Sequence, residues 1–523
     1  MKRSINVSMV LAILAAYAMA LMNPSLAQST TATASTINSA QDQERLRGFA
    51  EEVEKIRKEW QVPGMAVVVV KGDQILYAQG HGLRDIEHQL PMTADTLLPI
   101  GSSSKSFTTA MIAALVEEGK LDWNKPIKTW LPNFKMQDSF VADRLSLLDM
   151  VTHRSGLPRH DLVWYGPSTQ SMAQITEALQ YLEANKGFRT EFQYNNLMFV
   201  GAGHVTEVVA GLSWQETVRN RLLLPLAMTR TNFDVRQGAS DGNFSFGYQK
   251  TKQGVIKVMP FQSLNHIVSA GGINSSVKEM AAWLQLHLNQ GKYQGKQILS
   301  PQSIAFLHTP QVLSDDDLTP EVVPTGYAPG WFTGVYRGHR RLEHSGVIDG
   351  FASAMVLFPD DGVGVMVLAN LFLTNAHSYT ARAAADRMLD LSRVDWSGRA
   401  LQRSHDADHH HQHSMEAELP LDRVQGTQTS HALSAYVGTF EHPAYGVLKV
   451  SESHGKLVFE FHGVVTPLQH WHYDVFVGER AEDNPKFESQ RLQFNTASNG
   501  LVQSVQLDLV SGLADIVFTR RIK

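Results

Sequence analysis

β-rich runs on either side of a long helical region constrain the fold of this chain more than any other feature. The first two runs, 64–70 and 75–78, flank a Lys-Gly-Asp-Gln turn and predict a β-hairpin. Helical patterns then dominate from 102 to about 224, and β-rich runs return at 354–358 and 363–368. Because a sheet needs partners for its strands, we expect the early hairpin and the late runs to share one sheet. The sequence therefore predicts a mixed α/β domain.

The composition changes after this domain and divides the chain in two. Residues 45–393 form the predicted α/β domain, and residues 394–430 form a predicted polar linker. The linker carries a group of histidines, namely His405, His409, His410, His411 and His413. Beyond it, residues 431–523 contain short runs that alternate apolar and polar positions, with Asn499-Gly500 as a hairpin turn between two of them. These runs predict a small all-β domain, either a sandwich or a barrel.

The N-terminus has the layout of a secretory signal peptide. Lys2 and Arg3 precede an apolar run over 7–21, and Ser25-Leu26-Ala27 supplies a small-x-small cleavage site. The alternative is an uncleaved membrane anchor, but the apolar run is short for a span and Asn23-Pro24 follows it. We therefore predict a signal peptide over 1–27, a flexible leader over 28–44 and no membrane span after cleavage. A periplasmic or secreted location follows from this prediction.

Composition excludes several classes of function. None of the 523 residues is a cysteine, so disulfides, thiolate metal sites and a cysteine nucleophile are excluded. The formal net charge of −5 is small for this length, and no basic patch with interleaved aromatic residues is present. We therefore expect no nucleic-acid partner. The tract of His409, His410, His411 and His413 could bind zinc or nickel, but it has no carboxylate spacing that suggests a closed metal site, and no metal or cofactor is predicted.

Ser102 and Lys105 form a Ser-x-x-Lys tetrad at the start of a predicted amphipathic helix. A spacing of three places both side chains on one helical face. A serine hydroxyl is a poor nucleophile unless a neighbouring base takes its proton, and an amine that is kept partly neutral can do so. The alternative is an N-cap serine with an exposed lysine, which chance alone can supply. The tetrad therefore indicates an acyl-enzyme mechanism only together with further motifs.

Two further motifs carry suitable chemistry. Tyr194 and Asn196 form Tyr-x-Asn before an apolar helical run, and His344-Ser345-Gly346 precedes the last long strand. A phenol beside a lysine ammonium is expected to have a lowered pKa, and so to act as general base and acid. A strand that carries His-Ser-Gly can pair with an extended acyl chain. Each motif alone also fits a core tyrosine, a turn asparagine or a surface histidine.

Together, the three motifs resemble the penicillin-recognising serine hydrolases, which include class C β-lactamases, D,D-peptidases and D-aminopeptidases. The resemblance extends to 148–158 and to 269–275, and it covers roughly 45–390. It implies an α+β catalytic domain of the β-lactamase/transpeptidase type, with a mixed antiparallel sheet and a helical subdomain. It also implies an exported serine hydrolase whose substrate is a small molecule or a peptide.

The resemblance implies a role for each motif residue. Ser102 would be the nucleophile, with Lys105 keeping it deprotonatable and pairing with the phenol. Tyr194 would be the proton shuttle: it would take the proton from Ser102, pass it to the leaving group and then activate the deacylating water. The remaining positions would bind the substrate or its oxyanion: Asn196, His344, Ser345 and Gly346 for the acyl group and its amide, and the backbone N–H groups of Ser102 and Val347 for the oxyanion.

The third motif departs from the pattern of efficient β-lactamases, which have lysine where this chain has His344. Histidine resembles the peptidase branches, so we expect a peptidase for peptides that contain D-amino acids or for peptidoglycan fragments. An esterase, a weak β-lactamase and a slowly acylating penicillin- or peptide-binding sensor stay open as alternatives. If His344 binds a substrate carboxylate as a cation, affinity should weaken as pH rises through its titration.

The C-terminal segment resembles a lipocalin-like domain that is appended to one peptidase branch. The resemblance lies in 436–446 and 468–476, and Arg159-His160-Asp161 is also similar to that branch. In that branch the added domain is associated with substrate gating and oligomerisation, so a homo-oligomer is possible here. The aromatic and histidine residues of the segment could line a pocket or form an ordinary barrel core.

Overall fold

The structure is a computed structural model and describes most of the chain beyond the N-terminal segment. The described residues are 40–166, 168–251, 253–260, 262–314, 318–403, 423–479 and 487–521. The predicted signal peptide over 1–27 and the histidines of the linker tract therefore lie outside the described residues.

The first domain is built on one eight-stranded antiparallel sheet with helices on both faces. Its strands are β1 Gly64–Lys71, β2 Gln74–Asp85, β3 Leu90–Pro91, β4 Leu98–Pro99, β5 Gly247–Lys250, β6 Ile256–Met259, β7 Asn274–Ser275, β8 Lys292–Tyr293, β9 Lys296–Gln297, β10 Val322–Ala328, β11 Trp331–Tyr336, β12 His339–Ile348, β13 Phe351–Phe358 and β14 Val363–Ala369. The large sheet has the order β10-β11-β12-β13-β14-β1-β2-β3, and the other strands form two-stranded pairs.

Strands from the two ends of the domain meet in the middle of the large sheet. β1 pairs with β14 in antiparallel register, with Val67 opposite Val367, and β1 also forms a hairpin with β2. The residues of β1 from Gly64 to Val70 and all of β14 are buried, which explains their near-continuous runs of valine and other apolar residues. This pairing confirms the prediction that the early hairpin and the late runs share one sheet.

The helices cover this sheet and form a helical subdomain between β4 and β7. They are α1 Phe49–Glu59, α2 Lys105–Glu117, α3 Ser139–Ala142, α4 Leu147–Val151, α5 Met172–Ala178, α6 Asn196–Ala210, α7 Trp214–Val218, α8 Val235–Ser240, α9 Val268–Gly271, α10 Val277–Leu288, α11 Pro301–Leu307 and α12 Ala376–Met388. Turns of 3₁₀ helix lie at Gly101–Ser104, Ile127–Thr129, Asp161–Val163, Leu179–Tyr181 and Asn265–Ile267, and a π-helical turn lies at Arg219–Leu223.

The predicted amphipathic helix at Ser102 differs from the expectation in two ways. Ser102 lies in the 3₁₀ turn, and the α-helix itself begins at Lys105. α2 is buried on almost every side rather than on one face, because α6, α7, α9 and α11 pack around it. A helix in the middle of a domain needs apolar or paired residues all round, so Lys105 must find its partners inside the protein.

The C-terminal segment forms a closed antiparallel barrel. Its strands are β15 Gly438–His442, β16 Gly446–Ser453, β17 Lys456–Phe461, β18 Val464–His472, β19 Val475–Gly478, β20 Arg491–Thr496, β21 Val502–Leu507 and β22 Ile516–Arg520, and a short helix α13 Leu433–Tyr436 precedes them. Phe440, Phe459, Phe494 and Phe518 are buried in its core. This confirms the predicted small all-β domain and shows that it is a barrel. Because aromatic side chains fill its interior, we interpret the interior as an ordinary core rather than a ligand pocket.

Ordered structure extends beyond both predicted edges of the first domain. Residues 40–45 of the expected leader and its junction are helical, and Asp42 is buried and accepts a hydrogen bond from Lys71 Nζ at 2.9 Å. The start of the expected linker is also ordered: 396–403 is helical, and Trp396 Nε1 donates to Asp386 Oδ2 at 2.8 Å. Local composition misses these segments because their burial depends on partners far away in the chain.

Taken singly, the helices of the described ranges differ from membrane-spanning helices in length and composition. No single helix there is long and apolar enough to cross a bilayer, while the pair Asn196–Ala210 and Trp214–Leu223, bent by 75°, passes on length and composition alone.

Candidate active site

The turn before α2 separates Ser102 from its two serine neighbours. Ser103 and Ser104 are fully buried and make structural hydrogen bonds: Ser103 Oγ donates to the His344 carbonyl at 3.0 Å, and Ser104 Oγ accepts from the Ile273 N–H at 3.2 Å. Ser102 is partly exposed and lies 3.0 Å from a lysine amine. Among these three serines, the structure therefore leaves Ser102 as the hydroxyl that a substrate can reach.

Lys105 has no solvent exposure and lies at the centre of the site. Its Nζ is 3.0 Å from Ser102 Oγ, 2.7 Å from Asn196 Oδ1 and 2.8 Å from the Ala270 carbonyl oxygen. Desolvation holds the pKa of this amine well below its usual range, and the positive charge of Arg159 lowers it further. A neutral amine, which can take up a proton, is therefore accessible here.

The three contacts fit the valence of a neutral amine. A neutral amine has two N–H bonds and one lone pair. Asn196 Oδ1 and the Ala270 carbonyl can only accept, so they take both N–H groups. The lone pair then faces the third partner, the Ser102 hydroxyl, which can donate its proton. The geometry thus orients the basic site of Lys105 toward Ser102.

Tyr194 precedes α6, and its phenol interacts with the Ser102 side chain. The amine of Lys105 lies 4.8 Å from the centre of the Tyr194 ring. Desolvation raises the pKa of the phenol well above its usual value, and the Ser102 contact and Arg159 only partly oppose this. The expectation of a lowered phenol pKa is therefore wrong, because the neighbouring lysine is itself desolvated. Tyr194 keeps its proton in the resting site and is suited to donate it.

His344 lies on β12 and is almost completely buried. Its Nδ1 is 2.7 Å from the Ser345 carbonyl oxygen, so Nδ1 carries the proton and Nε2 accepts from the Tyr327 hydroxyl at 3.1 Å. Desolvation and the nearby Lys105 lower the pKa of His344 to about 3. The expectation that a protonated His344 binds a substrate carboxylate is therefore wrong, because the ring is uncharged near neutral pH.

Gly346 and Val347 bring the edge of β12 against the Ser102 turn. A Cβ at Gly346 would lie 2.1 Å from the Ile100 carbonyl oxygen and 2.9 Å from Ser102 N. A Cβ at Gly101 would likewise lie 3.1 Å from Val347 N. The two backbone segments are thus in direct contact, which is possible only with glycine at these points. The role of Ser102 and Val347 as oxyanion donors stays a prediction, and the close approach of their backbones is compatible with it.

Asn196 connects Lys105 to an acidic group. Its Oδ1 accepts from Lys105 Nζ, and its Nδ2 donates to Asp161 Oδ1 at 2.9 Å. Asp161 also accepts from Trp164 Nε1 at 2.8 Å and from Arg159 Nε at 2.5 Å. One N–H of the Asn196 amide remains for a substrate, so its predicted role toward a substrate amide stays a prediction.

Two aromatic residues of the site were missed as functional candidates. His153 Nδ1 accepts from the Asn195 N–H at 3.0 Å, and its ring centre lies 4.4 Å from that of Tyr194. Tyr327 packs 4.9 Å from His153 and bonds His344. His153 belongs to 148–158, a segment that resembles the family but for which the sequence alone indicates no function. Tyr327 carries no motif, and its partner is known only once β10 and β12 are placed in one sheet.

No metal-binding cluster accompanies these residues. Within the described ranges, no group of three or more histidine, aspartate or glutamate side chains could hold a metal ion. The predicted chemistry needs none.

Buried neutral histidines predict a loss of stability in acid. Burial lowers the pKa to about 3 for His308 and His344 and to about 4 for His377, against about 6.5 in the unfolded chain. The unfolded state then binds more protons below pH 6.5, so stability is full above that pH and is lost toward pH 4. Each histidine contributes about 1.4 kcal/mol per pH unit in this window. We expect the urea midpoint of unfolding to fall as the pH is lowered from 6.5 to 4.5, and to fall less steeply in His308→Gln. A midpoint that does not change with pH would contradict the burial of these histidines in the neutral form.

The fold and the Ser102–Lys105 pair define a serine hydrolase. The Beta-lactamase family model matches residues 49–389, so this chain belongs to the β-lactamase family. A second model, described as a domain of unknown function (DUF3471), matches 422–520 and coincides with the barrel. These matches confirm the family resemblance that the motifs indicate.

Known relatives and solved structures agree with this membership. An unguisins hydrolase (ungD') of Aspergillus campestris is 27% identical over 442 residues, 80% of this chain and 81% of that protein. The octameric penicillin-binding protein homologue from Pyrococcus abyssi has a TM-score of 0.60 at 21% identity and covers 91% of this chain and 100% of its own. The D-amino acid amidase from Ochrobactrum anthropi has a TM-score of 0.54 at 21% identity, covering 65% and 97%. These structures share the fold.

Proposed function

We propose that this hydrolase forms an acyl-enzyme on Ser102, with Lys105 as the first acceptor of the hydroxyl proton. The observation that carries the proposal is the set of three contacts around Lys105 Nζ, which directs the lone pair of a neutral amine at Ser102 Oγ. Burial supports it, because desolvation favours the neutral amine that a general base requires.

The proposed acylation moves one proton and exchanges one bond. Ser102 Oγ attacks the substrate carbonyl carbon as its proton passes to Lys105 Nζ. The N–H groups of Ser102 and Val347 stabilise the oxyanion, and each such donor is worth about 3 kcal/mol of barrier. The intermediate collapses, the bond to the leaving group breaks, and Tyr194 protonates that group. Lys105, whose amine lies 4.8 Å from the centre of the Tyr194 ring, then returns its proton to the Tyr194 phenolate, so that both groups are restored when the acyl-enzyme has formed.

Deacylation follows the same relay in reverse. A water molecule attacks the acyl carbon while the neutral amine of Lys105 takes its proton, and this proton then passes to Ser102 Oγ. The ester bond to Ser102 breaks and the hydroxyl is restored. Because His344 is neutral and bonded to Tyr327, we assign it to shaping the β12 wall of the cleft rather than to proton transfer.

We infer that the substrate is a peptide or amide with a D-amino acid, including peptidoglycan fragments. The neutral His344 supports this, since the fixed cation with which efficient β-lactamases attract a carboxylate is absent from this position. The fold shared with a D-amino acid amidase also supports hydrolysis of amides, and the similarity to an unguisins hydrolase supports hydrolysis in general. The predicted signal peptide over 1–27 supports an exported enzyme that meets such substrates outside the cytoplasm.

Matched pairs of substrates test this proposal. We expect at least a tenfold higher kcat/KM for D-phenylalanine amide than for its L-enantiomer, and no hydrolysis by Ser102→Ala. Esters, nitrocefin and cell-wall peptides form the rest of the panel. A preference for the L-enantiomer contradicts the stereochemical part, and turnover of esters alone identifies an esterase. A β-lactam adduct that lasts for hours identifies a sensor.

A further inference from the structure

A tyrosine of the C-terminal barrel contacts the loop that borders the active site. Tyr445, at the turn between β15 and β16, is almost fully buried, and its hydroxyl lies 2.6 Å from His160 Nδ1. His160 is equally buried, and its Nε2 is 2.9 Å from the Glu183 carbonyl oxygen. Because a carbonyl only accepts, Nε2 carries the proton and Nδ1 accepts from the Tyr445 hydroxyl. The direction of both hydrogen bonds is therefore fixed.

The residues on either side of His160 face the proposed catalytic groups. Arg159 lies with its guanidinium 5.1 Å from the centre of the Tyr194 ring. Asp161 accepts from Asn196 Nδ2, and Asn196 Oδ1 in turn accepts from Lys105 Nζ. A continuous series of side-chain contacts thus leads from the barrel to the lysine amine.

His160 has a backbone conformation that needs support. Its φ is +46°, in the left-handed region that a non-glycine residue rarely adopts. The hydrogen bonds of its ring to two separate segments hold this conformation, which sends Arg159 and Asp161 toward the cleft. The barrel contacts the same loop a second time, since a Cβ at Gly166 would lie only 2.8 Å from the Cβ of His462.

We propose that Tyr445 is a positioning residue for Lys105, acting through His160, Asp161 and Asn196. The proposal rests on the proposed role of Lys105 as proton acceptor. The barrel then completes the active site of the first domain, because it holds the loop in place. That loop orients Asn196 and carries the charges that surround the Lys105 amine. Tyr445 touches neither the amine nor the substrate.

The charge around Lys105 provides a readout that simple destabilisation does not move. The titratable or charged groups that interact with this amine are Tyr194, His153, His344, Arg159 and Asp161, and the centre of the uncharged Phe199 ring also lies 5.3 Å from it. Both histidines are neutral, while Arg159 lowers the pKa of Lys105 more than Asp161 raises it. If the loop loosens, the pKa of Lys105 should rise and the acid limb of the kcat/KM profile should move to higher pH.

The matched test compares Tyr445→Phe with Tyr436→Phe in the full-length protein. Both changes remove one buried hydroxyl of the barrel, but Tyr436 bonds Asp474 within the barrel. We expect Tyr445→Phe to lower kcat about fivefold to tenfold with little change in KM, and to shift the acid limb upward. Tyr436→Phe should lower the unfolding midpoint by a similar amount and leave kcat and the pH profile unchanged. Equal kinetic effects of the two variants would overturn the proposal.

A double-mutant cycle tests the path itself. In His160→Gln an amide N–H can replace Nε2–H toward the Glu183 carbonyl, while the ring nitrogen Nδ1 that accepts from Tyr445 is lost. We expect the Tyr445→Phe/His160→Gln double variant to be no slower than the slower single variant. Multiplicative losses would overturn the coupling. These outcomes are distinct from failure of the proposed function, in which Ser102→Ala and the wild type would hydrolyse the substrate equally.

Discussion

Lys105→Met is expected to lower kcat by about 10³-fold, because it removes the only amine that contacts the Ser102 hydroxyl in the described structure. Methionine keeps the volume of the buried stem and fills the site without a charge. The loss should appear in kcat rather than KM, since the amine contacts the nucleophile and two acceptors of the protein. Hydrolysis of an activated ester, measured under single-turnover conditions, reports this step directly.

Lys105→Arg is the control that separates a base from a positive charge. Arginine can donate hydrogen bonds to the same acceptors, but it cannot lose its proton in a protein. We therefore expect Lys105→Arg to be as inactive as Lys105→Met. Recovery of a tenth or more of the wild-type rate by the arginine variant, with an unchanged fold, would contradict the role of Lys105 as a proton acceptor.

Gly346→Ala is expected to lower kcat by about 10²-fold. The added Cβ would lie 2.1 Å from the Ile100 carbonyl oxygen, so β12 must move away from the turn that carries Ser102. This movement separates the backbone N–H groups of Ser102 and Val347, and the loss of one aligned oxyanion donor costs about 3 kcal/mol. Steady-state kinetics with an amide substrate measure the effect.

Gly338→Ala is the matched control for this substitution. Gly338 has φ +96° and lies in the turn before β12, but a Cβ there meets no atom within 4 Å. The change should lower stability by about 1–2 kcal/mol through backbone strain and leave kcat unchanged. If Gly346→Ala has no more effect on kcat than Gly338→Ala, the close approach of β12 is not needed for catalysis.

Short-range spacing predicted the positions of the main side chains. Ser102 and Lys105 are three residues apart on one helical turn, so local geometry alone brings this pair together. Tyr194 and Asn196 flank the N-cap of α6, where the apolar helical run already predicted the start of a helix. The His344 strand and the Asn499-Gly500 turn of the barrel were likewise predictable from local pattern. In each case the relevant contact or turn lies within a few residues of the chain.

The protonation states could not be predicted because they depend on distant segments. Lys105 is desolvated by packing from all sides and held by the Ala270 carbonyl, 165 residues further on. His344 is neutral because β10 brings the Tyr327 hydroxyl to its Nε2 and the surroundings exclude water. Local sequence therefore indicated a titrating histidine and an acidic phenol, and the tertiary environment reverses both.

The contact between the two domains could not be predicted either, because it also depends on segments that are distant in the chain. His160 and Tyr445 are 285 residues apart, and neither residue carries a recognisable motif for the other. The resemblance of Arg159-His160-Asp161 to one peptidase branch identified the loop but not its partner. Docking of the barrel determines which residues of this loop face the cleft, and docking cannot be deduced from either segment alone.

Formation of an acyl-enzyme on Ser102 is tested most directly by intact-mass spectrometry during hydrolysis of an activated ester, followed by peptide mapping. The account predicts an adduct of the acyl mass on the peptide that contains Ser102, which disappears when the substrate is consumed and is absent in Ser102→Ala. An adduct on another residue, or one that forms equally in Ser102→Ala, would contradict it.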